Sequence, residues 1–405
     1  MDRMSMISGY SLCLPFADNS AQLIANLKNG ERVTASPWFT SEEEAAKCGF
    51  TGNKRIARLE NTDDGTVDLL SRLIENALLQ AMLDEHCLTG ENVRVYLTGI
   101  GPRVDVKDYK SLYDHNDVED VALASSLTHL CVAKMSQDAL SRYLACKYHL
   151  KHLPPNMNST SNSALVAVHL STQAIEQGGI DLALIINISK IKTQDIWFLA
   201  TQSMLDTEVV QPFGVNSKGV LFAEGYSVML LESHRHRQAR NQRGGISLRS
   251  AYMQINASRS NDVAWQSTRM VKLITTLLQD TGVKKEALCA VIPHGNGSAV
   301  SDGIEANAIA LLAGDQTLPV LAYKGQLGYT ATGSGLVDLV IGHHALAQRE
   351  LIVPVANDRI SAQMAGHVLV GKGVIKHDKK HLLKMGVGVD GSVIAMILTD
   401  TSKEQ

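Results

Sequence analysis

The sequence predicts a layered α/β fold, on three observations. Apolar runs of strand length alternate with helix-length segments along all 405 residues. The run from Asp181 to Ile188 (DLALIINI) is almost unbroken in apolar side chains, the pattern of a strand covered on both faces. Glycine-rich turns fall where strands end. With 45% of residues hydrophobic and 20% charged, the chain is globular and long enough for two ordinary domains or one large unit.

In chain order, Met4 to Phe16 reads as a first strand and turn rather than a secretion signal. A helix follows from about Val67 to Leu83, and Val93 to Thr98 (VRVYLT) is a β-branched strand ending at Gly99. A helix from about Asn162 to Gln177 carries the small or apolar stripe Ala164, Ala167, Val168, Ser171 and Ile175. Gly219 to Glu232 reads as a glycine-interrupted strand or hairpin, and the basic stretch His234 to Gly245 as a surface connection between two halves. The second half repeats the alternation. A strand is expected near Ile246 to Met253, a helix from Asp262 to Thr281, and a strand from Leu288 to Ile292. Helices over Gly303 to Ala313 and Gly333 to Ala347 precede two strand-like runs between Leu382 and Leu398. The division expected is residues 1–245 and 246–405.

Composition excludes several functions. A formal net charge of -3 lacks the basic excess of a nucleic-acid-binding protein, and no apolar run reaches the ~20 residues that span a bilayer. Cys13, Cys48, Cys87, Cys131, Cys146 and Cys289 are scattered, as in a cytoplasmic protein with reduced thiols. No Cys-x-x-Cys spacing occurs, and the pairs His343-His344 and His234/His236 are too isolated to imply a metal.

Three turns carry the chemistry. Asn158-Ser159-Thr160-Ser161-Asn162-Ser163 opens directly into an apolar helix, where unpaired backbone N–H groups and the helix dipole favour a nucleophile and an oxyanion. Ser161 there is either a nucleophile or a helix N-cap, the commoner use of serine. Pro293-His294-Gly295-Asn296-Gly297-Ser298 follows a strand and precedes Asp302 and Glu305, a setting suited to general acid–base work by His294. Lys324-Gly325-Gln326-Leu327-Gly328-Tyr329-Thr330 leads into the small-residue helix start Ala331-Thr332-Gly333-Ser334-Gly335.

In this order and spacing the three turns resemble those of the β-ketoacyl-acyl-carrier-protein synthases, with their cysteine nucleophile elbow, HGTGT, KxNxGH and terminal GFGG motifs. Ser161 falls at the family's cysteine, His294 at the histidine of HGTGT, and Asp302 and Glu305 at the acidic residues after it. Lys324 matches the family lysine and Tyr329 replaces the second histidine. The turn Met385-Gly386-Val387-Gly388-Val389-Asp390 matches the glycine-rich ending, with Val387 in place of the gatekeeping phenylalanine and Gly388 beside it. Ile7-Ser8-Gly9, Leu14-Pro15-Phe16, Asp108-Tyr109, Pro212-Phe213 and Glu224-Gly225 extend the likeness over most of the chain. The resemblance implies a thiolase-like five-layered αβαβα fold of two similar halves, in a homodimer or in a heterodimer with a ketosynthase. It implies acyl groups delivered on the phosphopantetheine of an acyl carrier protein, with no other cofactor.

Three readings follow. The chain is a chain-length-factor-like partner of an active ketosynthase, in fatty-acid, polyketide or aryl-polyene assembly. Alternatively, Ser161 and His294 form an acyltransferase acting on acyl carrier protein thioesters, or the chain is itself a condensing enzyme. A serine hydroxyl needs a base where a cysteine thiolate does not, and a tyrosine with a pKa near 10 cannot replace a charge-adaptable histidine. Each such loss typically costs about 10²–10⁴ in rate, which weighs against condensation by this chain alone.

Overall fold

The computed structural model describes residues 4–59, 65–101, 103–107, 136–206, 209–254, 257–259 and 261–402. Asp108-Tyr109 and Cys131 lie outside the described residues.

The first half contributes strands β1 (Ser5–Cys13), β2 (Val93–Ile100), β3 (Asn156–Met157), β4 (Leu182–Ser189) and β5 (Gly225–Ser233). The second contributes β6 (Ile246–Gln254), β7 (Leu288–Ile292), β8 (His381–Val387) and β9 (Ser392–Asp400). Their spatial order is β3-β2-β4-β5-β1-β6-β9-β8-β7. Outward from the middle, both halves run antiparallel, antiparallel, then parallel. The fifth strand of the second half is reduced to a parallel bridge, Val291 to Val320, just as β3 is only two residues long in the first. The halves are therefore two copies of one plan. Their sheets are continuous through Ser5↔Leu248, Met6↔Ser247 and Ile7↔Ile246, a joining that periodicity cannot express because it links residues some 240 apart.

Strand alternation builds the layers. On β4, Ala183 and Ile185 face one core, while Leu182, Leu184, Ile186 and Ile188 face another. On β9, Ile394, Met396 and Leu398 share the first of these cores, and Val393, Ala395 and Ile397 face a third. The shared core holds helices α3 (Ser163–Glu176) and α7 (Ser334–Gln348), which touch both sheets. Outside lie α1 (Thr66–Gln80) and α2 (Gln137–Lys147) on one face, and α5 (Val263–Thr281) and α6 (Ala299–Ala313) on the other. The result is the five-layered αβαβα arrangement.

Helix composition follows the layer. α5 buries Met270, Leu273, Ile274, Leu277 and Leu278 on one stripe, starts at Asp262 (which accepts the Trp265 N–H) and stops at left-handed Gly282. α3 and α7 sit between two sheets and are buried on nearly every side over their first turns. They approach so closely that a Cβ on Gly335 would lie 2.3 Å from Leu165 Cγ. Small residues at the start of α7 thus permit the central layer. The basic connection after β5 contains a short helix, His234–Ala239. Part of it turns inward: Arg240 binds the fully buried Glu232 at 2.7 and 2.9 Å, and His236 binds it at 2.6 Å, while Arg235 stays exposed.

Candidate active site

The elbow is built before α3. A 3₁₀ turn, Thr160–Asn162, enters the helix with Thr160 at φ 43°, strained for a β-branched residue. Its counterpart Ala331–Gly333 enters α7 with Ala331 also at φ 43°. In both, the serine three residues on donates to the strained residue's carbonyl: Ser163 Oγ to Thr160 at 2.7 Å, Ser334 Oγ to Ala331 at 3.0 Å. Duplication thus extends to the two elbows. Ser161 and its counterpart Thr332 line one cavity of about 790 Å³, at the carboxyl ends of the central strands.

Four further elements close on this cavity. His294 follows β7, and its turn is moulded by two buried carboxylates. Glu305 on α6 accepts the N–H groups of His294 and Gly295 at 2.6 and 2.7 Å. Asp302 accepts those of Asn296, Gly297 and Phe213 at 3.1, 3.2 and 2.6 Å. Tyr329 is fixed by its backbone, which accepts from Ala223 and donates to Leu221. Val387 ends β8 and lines the cavity with Gly388, where a Cβ would sit 2.8 Å from Thr160 Oγ1. The turn after Gly388 is laced to the elbow: Ser159 Oγ donates to Asp390 at 2.8 Å, and Asn162 Nδ2 to Ser392 Oγ at 2.8 Å. Helix α4 (Thr193–Thr201) adds Phe198 and Leu199, and Met204, Phe222 and Ile304 complete a largely apolar wall.

Of the residues singled out in the sequence, Ser161, His294, Tyr329, Val387 and Gly388 line the cavity, while Lys324, Asp302 and Glu305 do not and stand behind it. Ser161 is not a helix cap. Its Oγ lies 2.6 Å from Tyr329 Oη, and no hydrogen bond joins it to His294 among the described residues. The His294 and Tyr329 rings meet edge to face at 5.6 Å. Lys324 gives Nζ to Asp338 at 2.7 Å, a carboxylate shared at the same distance with Lys384, all three being almost wholly buried. Lys384 also holds the Pro293 and Met385 carbonyls at 3.0 and 2.7 Å, tying the His294 turn to β8.

Burial sets the electrostatics. It lowers the His294 pKa well below the usual imidazole range, and the charges of Lys324 and Lys384 lower it further, so the ring is neutral. Burial pushes the Tyr329 phenol up to about 12 against the hydrogen bonds of Ser161 and Asn296, and pushes Asp302 up to about 6. Glu305 is raised and Lys384 lowered for the same reason. A phenol that resists ionisation cannot serve as a base toward Ser161.

Asn296, Asp338 and Lys384 were not picked out in the sequence as site residues. Lys384 had a signal, a lone lysine in an apolar strand (LLKMGV); Asp338 had a weaker one, a single acid inside the apolar helix start of α7.

Residues 6–237 match the beta-ketoacyl synthase N-terminal domain, and residues 247–358 the beta-ketoacyl synthase C-terminal domain. The chain belongs to the beta-ketoacyl synthase family. Among curated relatives, Erythronolide synthase EryA2 of Saccharopolyspora erythraea is 24% identical over 286 residues, which is 69% of this chain and 8% of that protein. A non-reducing polyketide synthase of Talaromyces marneffei is 26% identical over 61% of this chain and 10% of its own length. The chain thus spans about a tenth of the relatives it matches. Two solved structures share the fold over 99% of this chain and all of theirs, each at 16% identity. One is a type II polyketide synthase acyl carrier protein in complex with its ketosynthase, at a TM-score of 0.82. The other is the ishigamide ketosynthase/chain length factor, at 0.79. No helix of the described residues is long and apolar enough to cross a membrane.

Proposed function

We propose that this chain is a chain-length-factor-like subunit that pairs with an active ketosynthase and shapes the space in which the acyl chain grows. The observation that carries the reading is the Ser161–Tyr329 hydrogen bond. The residue at the nucleophile's place is held by a neutral phenol, with no base bonded to it among the described residues. A cavity of about 790 Å³ with an apolar wall supports an acyl-accommodating role that needs no nucleophile. Acyl groups would arrive on the phosphopantetheine of an acyl carrier protein.

The acyltransferase reading rests on a different observation, that Ser161, His294 and Tyr329 all line one cavity. It requires His294 to reach Ser161 directly, or through Tyr329.

Co-expression with a ketosynthase that keeps its cysteine and both histidines tests the first reading. The expected result is a stable heterodimer by light scattering, and product formation that survives Ser161→Ala here but not loss of the partner's cysteine. A chain that forms no complex with any candidate ketosynthase would overturn it.

A further inference from the structure

Asn296 lies two residues beyond His294 in the moulded turn, with Nδ2 3.2 Å from His294 Nε2. The other end of the amide settles its orientation. Oδ1 accepts the backbone N–H of Ser298 at 3.0 Å, a group that can only donate, and the hydroxyl of Ser301 at 2.8 Å. Nδ2 therefore faces the imidazole. Because an amide nitrogen only donates, the Nε2 opposite must present a lone pair, and the proton of the neutral ring sits on Nδ1. Tyr329, whose ring meets that of His294 edge to face at 5.6 Å, shares its hydroxyl with Ser161 Oγ at 2.6 Å. Asn296, His294 and Tyr329 are all buried to 96% or more, so water does not compete for these bonds.

We propose that Asn296 is a positioning residue that locks His294 as a neutral, Nδ1-protonated ring and occupies the Nε2 lone pair a general base would use. His294 then cannot draw a proton from Ser161. What it offers the cavity is the Nδ1–H donor, which no group among the described residues claims. The surrounding charges support the lock. Lys324 and Lys384 oppose a second proton on the ring, while the carboxylates of Glu305 and Asp302 are committed to backbone N–H groups of the turn. The lock requires no partner subunit: a chain that paired with no ketosynthase would still carry it.

The test is the tautomer, read from long-range proton–nitrogen spectra of the full chain with ¹⁵N-labelled histidine at neutral pH. His294→Gln identifies its signals among the 14 histidines. The expected wild-type pattern is a protonated Nδ1 and an unprotonated, hydrogen-bonded Nε2. Asn296→Asp keeps an acceptor for Ser298 but turns the donor facing the ring into an acceptor. The proton should move to Nε2 and the His294 pKa should rise. A merely structural role for Asn296 would leave the tautomer unchanged in a folded variant, and that outcome overturns the proposal. If the variant does not fold, the wild-type spectrum decides alone: an Nε2-protonated or charged His294 contradicts the lock.

Discussion

Tyr329 decides what this site can do, because a buried phenol does not change charge near neutral pH. Its phenol is buried, raised to about 12 and bonded to Ser161, so the Ser161 hydroxyl is held but not activated. Glu305 shows the same dominance of burial. Its carboxyl lies above its ordinary value of 4.5, so the folded chain binds this proton more tightly than the unfolded chain. The stability this contributes is full below about pH 4.5 and is lost as pH rises through the raised value. Glu305→Gln removes the titration while resembling the protonated acid. Between pH 4.5 and 7.5 the wild type should lose stability relative to the variant, by at most about 1.4 kcal/mol per pH unit. Chemical denaturation at several pH values checks this, and a difference independent of pH would contradict it. His294 works in the opposite direction in both proteins, since its lowered pKa destabilises the fold below about pH 6.5, and so it cancels from the comparison. The residues themselves were legible in the sequence where a motif names them, as for His294, Lys324 and Tyr329. Their partners were not: nothing local says that Lys384 shares Asp338 with Lys324, since three separate segments meet there.

At the scale of elements, the two central helices and their elbows carry the design. Strand–helix alternation was readable because each element keeps one period: Leu288 to Ile292 forms over the residues expected, and α3 and α7 begin within one residue of expectation. The edge pairings were not, because β3 and the Val320 bridge are too short to have a period. Nor was the equivalence of the two elbows, since Thr160-Ser161-Asn162 and Ala331-Thr332-Gly333 share a backbone and not a sequence. Close helix approach yields the prediction at this scale. Gly335→Ala would place a methyl 2.3 Å from Leu165 Cγ and should destabilise the chain by about 1–3 kcal/mol. Gly366→Ala, with nothing among the described residues within 4 Å of the added methyl, should fall within about 0.5 kcal/mol of wild type. Equal midpoints for the two variants would show that the helices have room to part.

For the whole molecule, duplication gives each half an elbow, while the basic and acidic groups behind the cavity all come from the second half. The cavity opens where the two copies meet, so each contributes a wall and neither is a site alone. The central claim concerns that meeting point: Ser161 is not an acylated nucleophile. Intact mass of the purified chain after incubation with an acyl carrier protein thioester tests it most directly. The account predicts an unchanged mass in wild type and Ser161→Ala alike; a covalent acyl adduct on the wild type that disappears in Ser161→Ala would contradict it.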